Sequence, residues 1–526
     1  MANTLNLGTD GNWATKKGSL LGYNSENNNY KPLPFNFSRD SKATVINKDG
    51  LIKEVGSGQP RIDYLNNTKG ALKLEPSRTN LITQSESFPD SYWTKGGASI
   101  QADPSTQGSE LVTNGNFATD SDWTKGTGWT ISGGYAESDG TNAALDQFSI
   151  LTVGKTYKVV ITVTNMTSSP LSVRLGTLSS DAILSILENG TYTVYGVAGA
   201  TTLRLRSQGF DGRIQNVSVK EVQGFTSPDG TNNAYKLVED TSNGSHKITA
   251  NASASNIYTI SVFAKYNGRV LQLASTSTVG HYANFDLLNG VIGNYGSLTE
   301  NATITELKNG WYKCSMTTTS NMNTPIVSAV QSTTSAYQAN EQGDGTSGFY
   351  IYGSQVEAGS YSTSYISTSG SAVTRLADVC NNGGNEQVIN STEGVLYFEG
   401  SSLFDTPDSD GIIRIENSSD ATNEYLDFRY DTTQNRVQIV VRVNGSNQTT
   451  SGVVISDTTV NNKFALKYKV NDIALWVNGV EEITVSSASV PTGLDNLSFN
   501  NIYTKIKDIR VYNTSLSDSE LTELTS

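Results

Sequence analysis

The sequence predicts an all-β protein built from several β-sandwich domains in series, and three observations support this class. Strand-like alternation of apolar and polar residues recurs along the chain, as in residues 157–163, 258–263 and 437–443. An apolar pattern of period 3.6 is confined to the last residues. Charged residues make up only 17%, whereas Gly (48) and Tyr (25) are abundant, which suits pleated strands joined by tight turns.

The order of two repeated phrases predicts that one domain is inserted into another. An opening phrase occurs at residues 88–96 and again at 117–126, before either of two similar closing phrases at 214–221 and 351–357. In tandem domains, each opening phrase would be followed by its own closing phrase before the next opening phrase. A long insertion is tolerated at an exposed loop tip because the entropic cost of a loop grows slowly with its length.

A chain of 526 residues is too long for one core, and three to four domains are expected. Together with the repeated phrases, this length predicts four parts. They are an N-terminal segment (residues 1–84), a discontinuous outer sandwich (85–107 and 223–378), an inserted jelly-roll sandwich (108–222) and a C-terminal sandwich (388–526).

The N-terminal segment carries short motifs at residues 35–44, 60–64 and 74–81, and further motifs follow at 309–314 and 343–353. Together they resemble a segment, and the domain after it, in structural and fibre-like proteins of tailed bacteriophages and prophages. The resemblance implies that the segment attaches the protein to other virion proteins or joins subunits. It also implies a homotrimer on a head or tail fibre.

Arginines and acids alternate in the N-terminal segment, where we expect structural ion pairs that hold short strands in register or bridge subunits. The arginines are Arg39, Arg61 and Arg78, and the acids are Asp40, Asp63 and Glu75.

Two further stretches resemble known sandwich families. Residues 110–117 and 211–219 resemble jelly-roll carbohydrate-binding modules, a likeness that specifies fold better than ligand. Residues 464–468, 473–479 and 505–512 resemble the laminin-G or concanavalin-like sandwich.

Two local signals are specific in the C-terminal sandwich. Asn478-Gly479 predicts a tight hairpin turn. Ser517 followed by Glu520 predicts the capped start of a short helix over residues 516–524.

Charge and hydropathy exclude several partners. A net charge of −13 and a pI near 4.8 argue against nucleic acid and anionic membranes. Since no run approaches the roughly 18 apolar residues that a membrane span needs, no membrane insertion is expected. The first residues lack the basic start and apolar core of a signal peptide. We expect a virion protein released by lysis.

Catalytic motifs are scarce, and the sequence predicts neither an enzyme nor a bound cofactor. The two histidines, His246 and His281, stand beside no nucleophile motif and in no zinc-ligand cluster. Cys314 and Cys380 suggest no disulfide framework, and Cys314 is expected to be a buried thiol. The loop at residues 405–410 is either a solvated acidic surface or a set of oxygen ligands for calcium.

Sugar binding is the more plausible chemistry, and the inserted sandwich holds the candidate residues. Carbohydrate modules stack sugars on exposed aromatic rings and bind hydroxyl or carboxylate groups with polar side chains. Trp123 matches Trp93 in the repeated phrase and is expected in the core. The candidate site residues are Trp129 and Tyr135, which flank a Gly-Gly turn, and Arg174, Arg204 and Arg206, of which the last two alternate with leucines.

The combined interpretation is a structural virion fibre that adheres weakly and multivalently to host-surface or environmental glycans. Two alternatives remain open. The sandwiches can be inert decoration or assembly spacers without a ligand, because fold does not imply function. Alternatively, an unrecognised carboxylate pair among the 50 acidic residues can make the protein a polysaccharide depolymerase. The three candidate arginines, Arg174, Arg204 and Arg206, can instead protect a strand edge or an interface from unwanted pairing with other chains.

Overall fold

The computed structural model describes residues 3–25, 28, 34–168, 170–254, 256–276, 279–321, 323–405, 411–500 and 503–526. These residues form an all-β protein with several separate sheets, which confirms the predicted fold class. The terminal helix α1 covers Asp518–Thr525. Within the described residues, no helix is both long and apolar enough to cross a membrane.

The strands are numbered in chain order. The first nine are β1 (Leu5–Leu7), β2 (Thr15–Lys16), β3 (Ser19–Leu21), β4 (Pro34–Ser38), β5 (Ala43–Ile46), β6 (Ile52–Val55), β7 (Ile62–Asp63), β8 (Ala71–Leu74) and β9 (Arg78–Asn80). They are followed by β10 (Trp93–Gly96), β11 (Ala98–Gln101), β12 (Gln107–Glu110), β13 (Thr124–Lys125), β14 (Trp129–Ser132), β15 (Tyr135–Asp139), β16 (Ala144–Gln147), β17 (Thr156–Ser168), β18 (Leu171–Leu175), β19 (Ala182–Ile186), β20 (Gly190–Val197), β21 (Leu203–Ser207) and β22 (Asp211–Val222).

The next group is β23 (Tyr235–Glu239), β24 (Asn243–Gly244), β25 (His246–Ala250), β26 (Tyr258–Asn267), β27 (Val270–Ser275), β28 (Tyr282–Asp286), β29 (Val291–Tyr295), β30 (Thr299–Glu306), β31 (Trp311–Thr318), β32 (Pro325–Val330), β33 (Glu341–Gln342), β34 (Gly348–Ala358) and β35 (Val373–Arg375). The last group is β36 (Val379–Gly383), β37 (Glu393–Ser402), β38 (Gly411–Glu416), β39 (Tyr425–Tyr430), β40 (Arg436–Val443), β41 (Ser446–Val454), β42 (Asn462–Lys469), β43 (Ile473–Val477), β44 (Val480–Val485), β45 (Asn496–Asn500) and β46 (Thr504–Tyr512).

The outer sandwich has two six-stranded sheets on either side of one core. Their orders are β10-β25-β32-β27-β28-β29 and β11-β23-β34-β26-β31-β30. Buried residues from both sheets, among them Trp93, Ile260 and Leu271, pack together between them. Each sheet therefore draws strands from both sides of residues 107–222.

The inserted sandwich is formed by the strands between residues 107 and 222. One sheet has the order β14-β15-β22-β17-β20, with β12 also paired to β22, and the other has the order β13-β16-β21-β18-β19. Val159, Ile161 and Leu205 lie fully buried between these sheets. The predicted domain bounds stay a prediction, and these sheet memberships agree with them.

The repeated phrase folds in the same way in both sandwiches. Trp93 packs on Phe88 with ring centroids 5.0 Å apart, and Trp123 packs on Phe117 at 5.3 Å. Each indole Nε1 donates to a backbone carbonyl nine residues earlier, Gln84 O at 2.9 Å and Asn114 O at 3.1 Å. Trp123 is 7% exposed, which confirms its predicted core position.

The C-terminal sandwich contains strands from the N-terminal segment in both of its sheets. The first sheet has the order β44-β43-β42-β37-β46-β8-β7, with β1 also paired to β46, and the second has the order β2-β3-β4-β36-β45-β38-β39-β40-β41. Aromatic side chains fill the space between them, and the rings of Phe398 and Phe464 lie 4.7 Å apart.

The N-terminal segment, predicted over residues 1–84, therefore shares sheets with the sandwich predicted over residues 388–526, and the bounds of these two parts stay a prediction. Leu5 lies opposite Val511, and Leu74 lies opposite Thr504. Strands of two to five residues cannot bury their apolar side chains alone, so they extend the edges of larger sheets. β36, between the predicted domains, joins the same sandwich through Phe37 and Phe499.

A buried ion-pair cluster ties the N-terminal segment to the chain that leaves the outer sandwich. Glu75 accepts from Arg61 at 2.5 Å and from Arg375 at 2.7 Å, and Asp378 accepts from Arg61 and, at 2.9 Å, from Arg39. All five side chains are at most 1% exposed. The expectation of structural ion pairs is thus confirmed for Arg39 and Arg61.

Local predictions for the C-terminal part are confirmed. Asn478 and Gly479, both with positive φ (49° and 89°), form the turn between β43 and β44. Ser517 caps α1, and the Glu520 carboxylate accepts from the Ser517 backbone N–H at 2.8 Å. Cys314 is a buried free thiol, and burial raises its pKa well above 9.0.

Candidate functional site

The three candidate arginines lie on one outward face of the inserted sandwich. Along β21, Leu203 and Leu205 are fully buried while Arg204 and Arg206 point to the other side of the sheet. In the antiparallel pairing of β18 with β21, Arg174 lies directly opposite Arg204. We call this group of Arg174, Arg204 and Arg206 the arginine face.

Asp146 and Ser172 complete the arginine face, and the sequence analysis missed both. Asp146, on β16, lies opposite Arg204, and Ser172, on β18, lies opposite Arg206. The signal was available, since Asp146 follows the core residue Leu145 with the alternation of a strand. Which strands are neighbours in the sheet could not be read from that alternation.

Arg204 is neutralised by a partner on the neighbouring strand. Its Nε and Nη2 donate to the two carboxylate oxygens of Asp146 at 2.9 and 2.8 Å. The hydrogen bonds to Asp146 raise the pKa of Arg204. Asp146 is 6% exposed, so this bidentate pair is partly shielded from water and fixes the Arg204 fork.

Arg174 and Arg206 are not neutralised in this way. Within the described residues, no carboxylate lies within the 4.0 Å ion-pair distance of either guanidinium. Arg174 is 8% exposed, and its Nε donates to Ser172 Oγ at 3.1 Å. Burial, together with the positive charges of Arg206 and Arg204, lowers the pKa of Arg174, and the more distant charge of Asp181 offsets this only in part. An anion placed here would relieve that repulsion.

Trp129, a candidate for stacking on a sugar, does not belong to this face and lies in the core of the inserted sandwich. The indole is 5% exposed, and its ring centroid lies 6.0 Å from that of Phe210 in the sandwich core. Its Nε1 donates to Ala143 O at 3.3 Å. Trp129 shares its side of β14 with buried Ile131, so the alternation of Trp129-Thr-Ile131 was the signal that predicted burial.

Tyr135 is half-buried and lies on the other sheet. β15 pairs with β22, and Arg213 of β22 stacks its guanidinium 4.1 Å from the centre of the Tyr135 ring. Glu137 accepts from Arg213 Nε at 2.8 Å. The structure therefore separates Tyr135 from the arginine face by the thickness of the sandwich.

Both histidines are buried. His246 is 2% exposed, with Nδ1 2.6 Å from Gly97 O and Nε2 3.0 Å from Glu341 O. His281 is fully buried, and burial lowers its pKa below 6.5.

A metal site was expected only as an alternative at residues 405–410, and all of this loop except Asp405 lies outside the described residues. Elsewhere in the part of the chain that is described, no three His, Cys, Asp or Glu side chains converge as metal ligands would.

Comparison with known proteins finds only distant likenesses. No protein-family model and no curated protein matches the sequence. Among solved structures, the CBM40 domain of the Ruminococcus gnavus IT-sialidase is 16% identical with a TM-score of 0.23, over 28% of this chain and 94% of that chain. A tandem CBM22 region of Paenibacillus barcinonensis Xyn10C is 12% identical with a TM-score of 0.17, over 53% and 98% of the two chains.

The LG1-3 region of the laminin alpha2 chain is 10% identical with a TM-score of 0.19, over 71% of this chain and 96% of that chain. TM-scores in this range assign no function to the protein, and the argument for one depends on its own side chains.

Proposed function

We propose that the protein is a non-catalytic glycan-binding protein and that the arginine face binds the carboxylate groups of acidic glycans. The observation that carries the proposal is the pair of guanidiniums, Arg174 and Arg206, without a carboxylate partner among the described residues of the sheet. A guanidinium presents a planar fork of donors that matches a carboxylate. Arg204, already bound to Asp146, would hold the geometry of the face.

The biological setting belongs to the same proposal. The motifs between residues 35 and 81 resemble those of tailed-phage fibre proteins, and we place the protein on a virion as a homotrimeric head or tail fibre. Several copies of one weak site raise avidity above the affinity of each, provided that they engage together. Adhesion to host-surface or environmental glycans would follow from that display.

A second candidate function is that of an inert spacer in the virion. Two observations favour it: Trp129 is in the core, and Arg204 has a complete partner in Asp146. A spacer would show no glycan binding at any face of the inserted sandwich.

An array of bacterial surface glycans, with acidic and neutral members, tests the proposal. The variants are the double substitution Arg174→Ala/Arg206→Ala and the control Arg213→Ala, which removes an arginine from the opposite outer face. We expect the wild type and the control to bind acidic glycans, and the double variant to bind at least about tenfold more weakly, since hydrogen bonds to charged groups contribute about 1.5–3 kcal/mol each.

Binding lost in the control but kept in the double variant would move the site to the Tyr135 side. No binding by the wild type would favour the spacer. Shortening of a polymer on incubation would instead indicate a depolymerase.

A further inference from the structure

A cleft of about 710 Å³ lies where the outer sandwich, the N-terminal strands and the C-terminal sandwich meet. We call it the junction cleft. Its lining comes from β30 and β31, from the chain at residues 360–365, from β5 to β8, and from loops near residues 403–405, 434 and 459. Its volume is typical of a site for a small organic ligand.

The floor of the junction cleft is the polar side of two paired strands. Thr303 lies opposite Ser315, and Thr305 lies opposite Lys313. The intervening residues, Ile304 among them, pack into the sandwich core. A polar sheet side of this kind normally faces water, but here the other two parts of the protein stand over it and leave the cleft between them.

Two hydroxyl groups at the cleft have no hydrogen-bond partner among the described residues. They are the phenol of Tyr361, a side chain that is 6% exposed, and Oγ of Ser360. Burial raises the pKa of Tyr361 above 10.0, so the phenol keeps its proton and can donate. Buried polar groups are almost always paired in folded proteins. Each of these two hydroxyls exposes less than 1 Å², so it would complete its bonds with a ligand only by rotating towards the cleft that its residue lines.

The lining mixes donors and acceptors of both charges. Lys73 and Lys505 place their amino groups 3.5 and 3.3 Å from the Asp63 carboxylate at one side. Lys313 lies on the floor and donates to Thr363 O. A simple anion here would be repelled by the Asp63 carboxylate, and a simple cation would be repelled by the three lysines. A sugar hydroxyl donates and accepts at once, so a polyol suits both kinds of group.

An aromatic wall completes the lining. Tyr361 and Phe404 stack with their ring centroids 3.7 Å apart and an interplanar angle of 18°, and both line the cleft. Arg78 also lies over the Tyr361 ring at 5.2 Å, and Tyr503 stacks on Phe404 at 6.4 Å. The wall is therefore rigid, and its ring edges, rather than free ring faces, place apolar area next to the polar groups of the cleft.

We propose that the junction cleft is a second binding site, for a short neutral saccharide of one or two rings. The site shares no residue with the arginine face, and it stands whether or not that face binds acidic glycans.

The test is calorimetric titration, with saturation-transfer NMR, of the full chain with glucose, galactose, mannose, N-acetylglucosamine, maltose and lactose. The cleft variant is Thr303→Val/Ser315→Ala, which removes two hydroxyls that are 2.6 Å apart. Because both partners of one hydrogen bond are removed together, the fold should be preserved. The matched control is Thr162→Val/Thr191→Val, a cross-strand hydroxyl pair at 3.0 Å on the inserted sandwich.

We expect saturable binding of at least one of these sugars by the wild type, by the control and by Arg174→Ala/Arg206→Ala, and at least about tenfold weaker binding by the cleft variant. No saturable binding by the wild type would overturn the proposal. Equal binding by the cleft variant would do the same, as would crystals soaked in the bound sugar that show only ordered water in the cleft. Loss of acidic-glycan binding on the array would leave this result unaffected.

Discussion

The outer and inserted sandwiches begin with the same phrase and differ in what becomes of their polar sheet sides. In both, a tryptophan of the phrase packs on a phenylalanine and donates to a backbone carbonyl. The polar side of β30 and β31 is covered by other parts of the protein and lines a cleft. The polar side of β18 and β21 carries the arginine face. The shared phrase therefore gives both sandwiches the same local packing of tryptophan on phenylalanine. The parts of the protein that lie next to each sandwich determine which of its sheet surfaces is open to a ligand.

The buried ion-pair cluster holds the N-terminal strands over the polar side of the outer sandwich. Of the substitutions considered, Glu75→Gln should have the largest effect, because it disrupts this cluster. Glu75 accepts from Arg61, Arg375 and Ser364. The substitution leaves the buried Arg375 without its carboxylate partner and leaves Arg61 with Asp378 alone. We expect a loss of about 3–5 kcal/mol in the free energy of unfolding. Hydrogen exchange should increase at residues 299–318, which line the cleft, and stay unchanged at residues 203–207.

The control for this variant is Glu54→Gln, which removes an exposed ion pair with Lys42 and should leave the free energy of unfolding almost unchanged. The Glu75 variant should also alter the pH dependence of stability. In the wild type, the basic neighbours of Glu75 hold its pKa well below 4.5. The ionised carboxylate therefore stabilises the fold fully above about pH 4.5, and this stabilisation is lost as the pH falls from there towards the lower pKa of the folded state. If the free energy of unfolding of Glu75→Gln decreased at low pH by as much as that of the wild type, this role of Glu75 would be contradicted.

The shared tryptophan anchors can be compared directly by Trp93→Phe and Trp123→Phe. Each variant loses one hydrogen bond and part of a buried ring, so each should destabilise its own sandwich by about 1–3 kcal/mol. Hydrogen exchange should rise in the sandwich that carries the substitution and in no other. Trp13→Phe is the control, because Trp13 also donates to a carbonyl, Lys69 O at 3.1 Å, but lies outside both sandwiches. Strongly unequal losses would show that the repeated phrase has different roles in the two.

The last prediction concerns Lys313 on the covered sheet side, whose effect appears only at alkaline pH. Burial lowers its pKa from 10.5 to about 8. Between these two pH values the unfolded chain binds more protons than the folded one, so stability should rise as the pH increases from about 8 to 10.5. Lys313→Met should abolish this rise in urea titrations, whereas Lys158→Met, on the inserted sandwich, should leave it in place. A rise that persists in Lys313→Met would mean that the lysine is hydrated.

Strand alternation predicted the fold class and the outward side of Arg204 and Arg206, because each depends only on the period of a strand. The core position of Trp123 was predicted from the repeated phrase. It did not predict that Arg174 lies opposite Arg204 or that Tyr135 lies on the other sheet, because strand order is set by long-range pairing. The expectation for Trp129 failed because a Gly-Gly turn was given more weight than the alternation with Ile131.

The N-terminal strands show the same limit. Nothing local in residues 5–7 indicates pairing with residues 509–511, since that pairing closes a loop of almost the whole chain. The charged motifs did predict structural ion pairs, yet Arg375 and Asp378, which complete the cluster, lie about 300 residues further along.

The most direct test of the account is the affinity of the full chain for an oligogalacturonate, compared with its neutral methyl ester, for the wild type and Arg174→Ala/Arg206→Ala. Calorimetry at low and at physiological ionic strength would report both affinity and its salt dependence. The account predicts that the wild type prefers the acidic oligomer, that added salt weakens its binding, and that the double variant loses the preference. Equal affinity of the wild type for the two oligomers, or a preference that survives the double substitution, would contradict it.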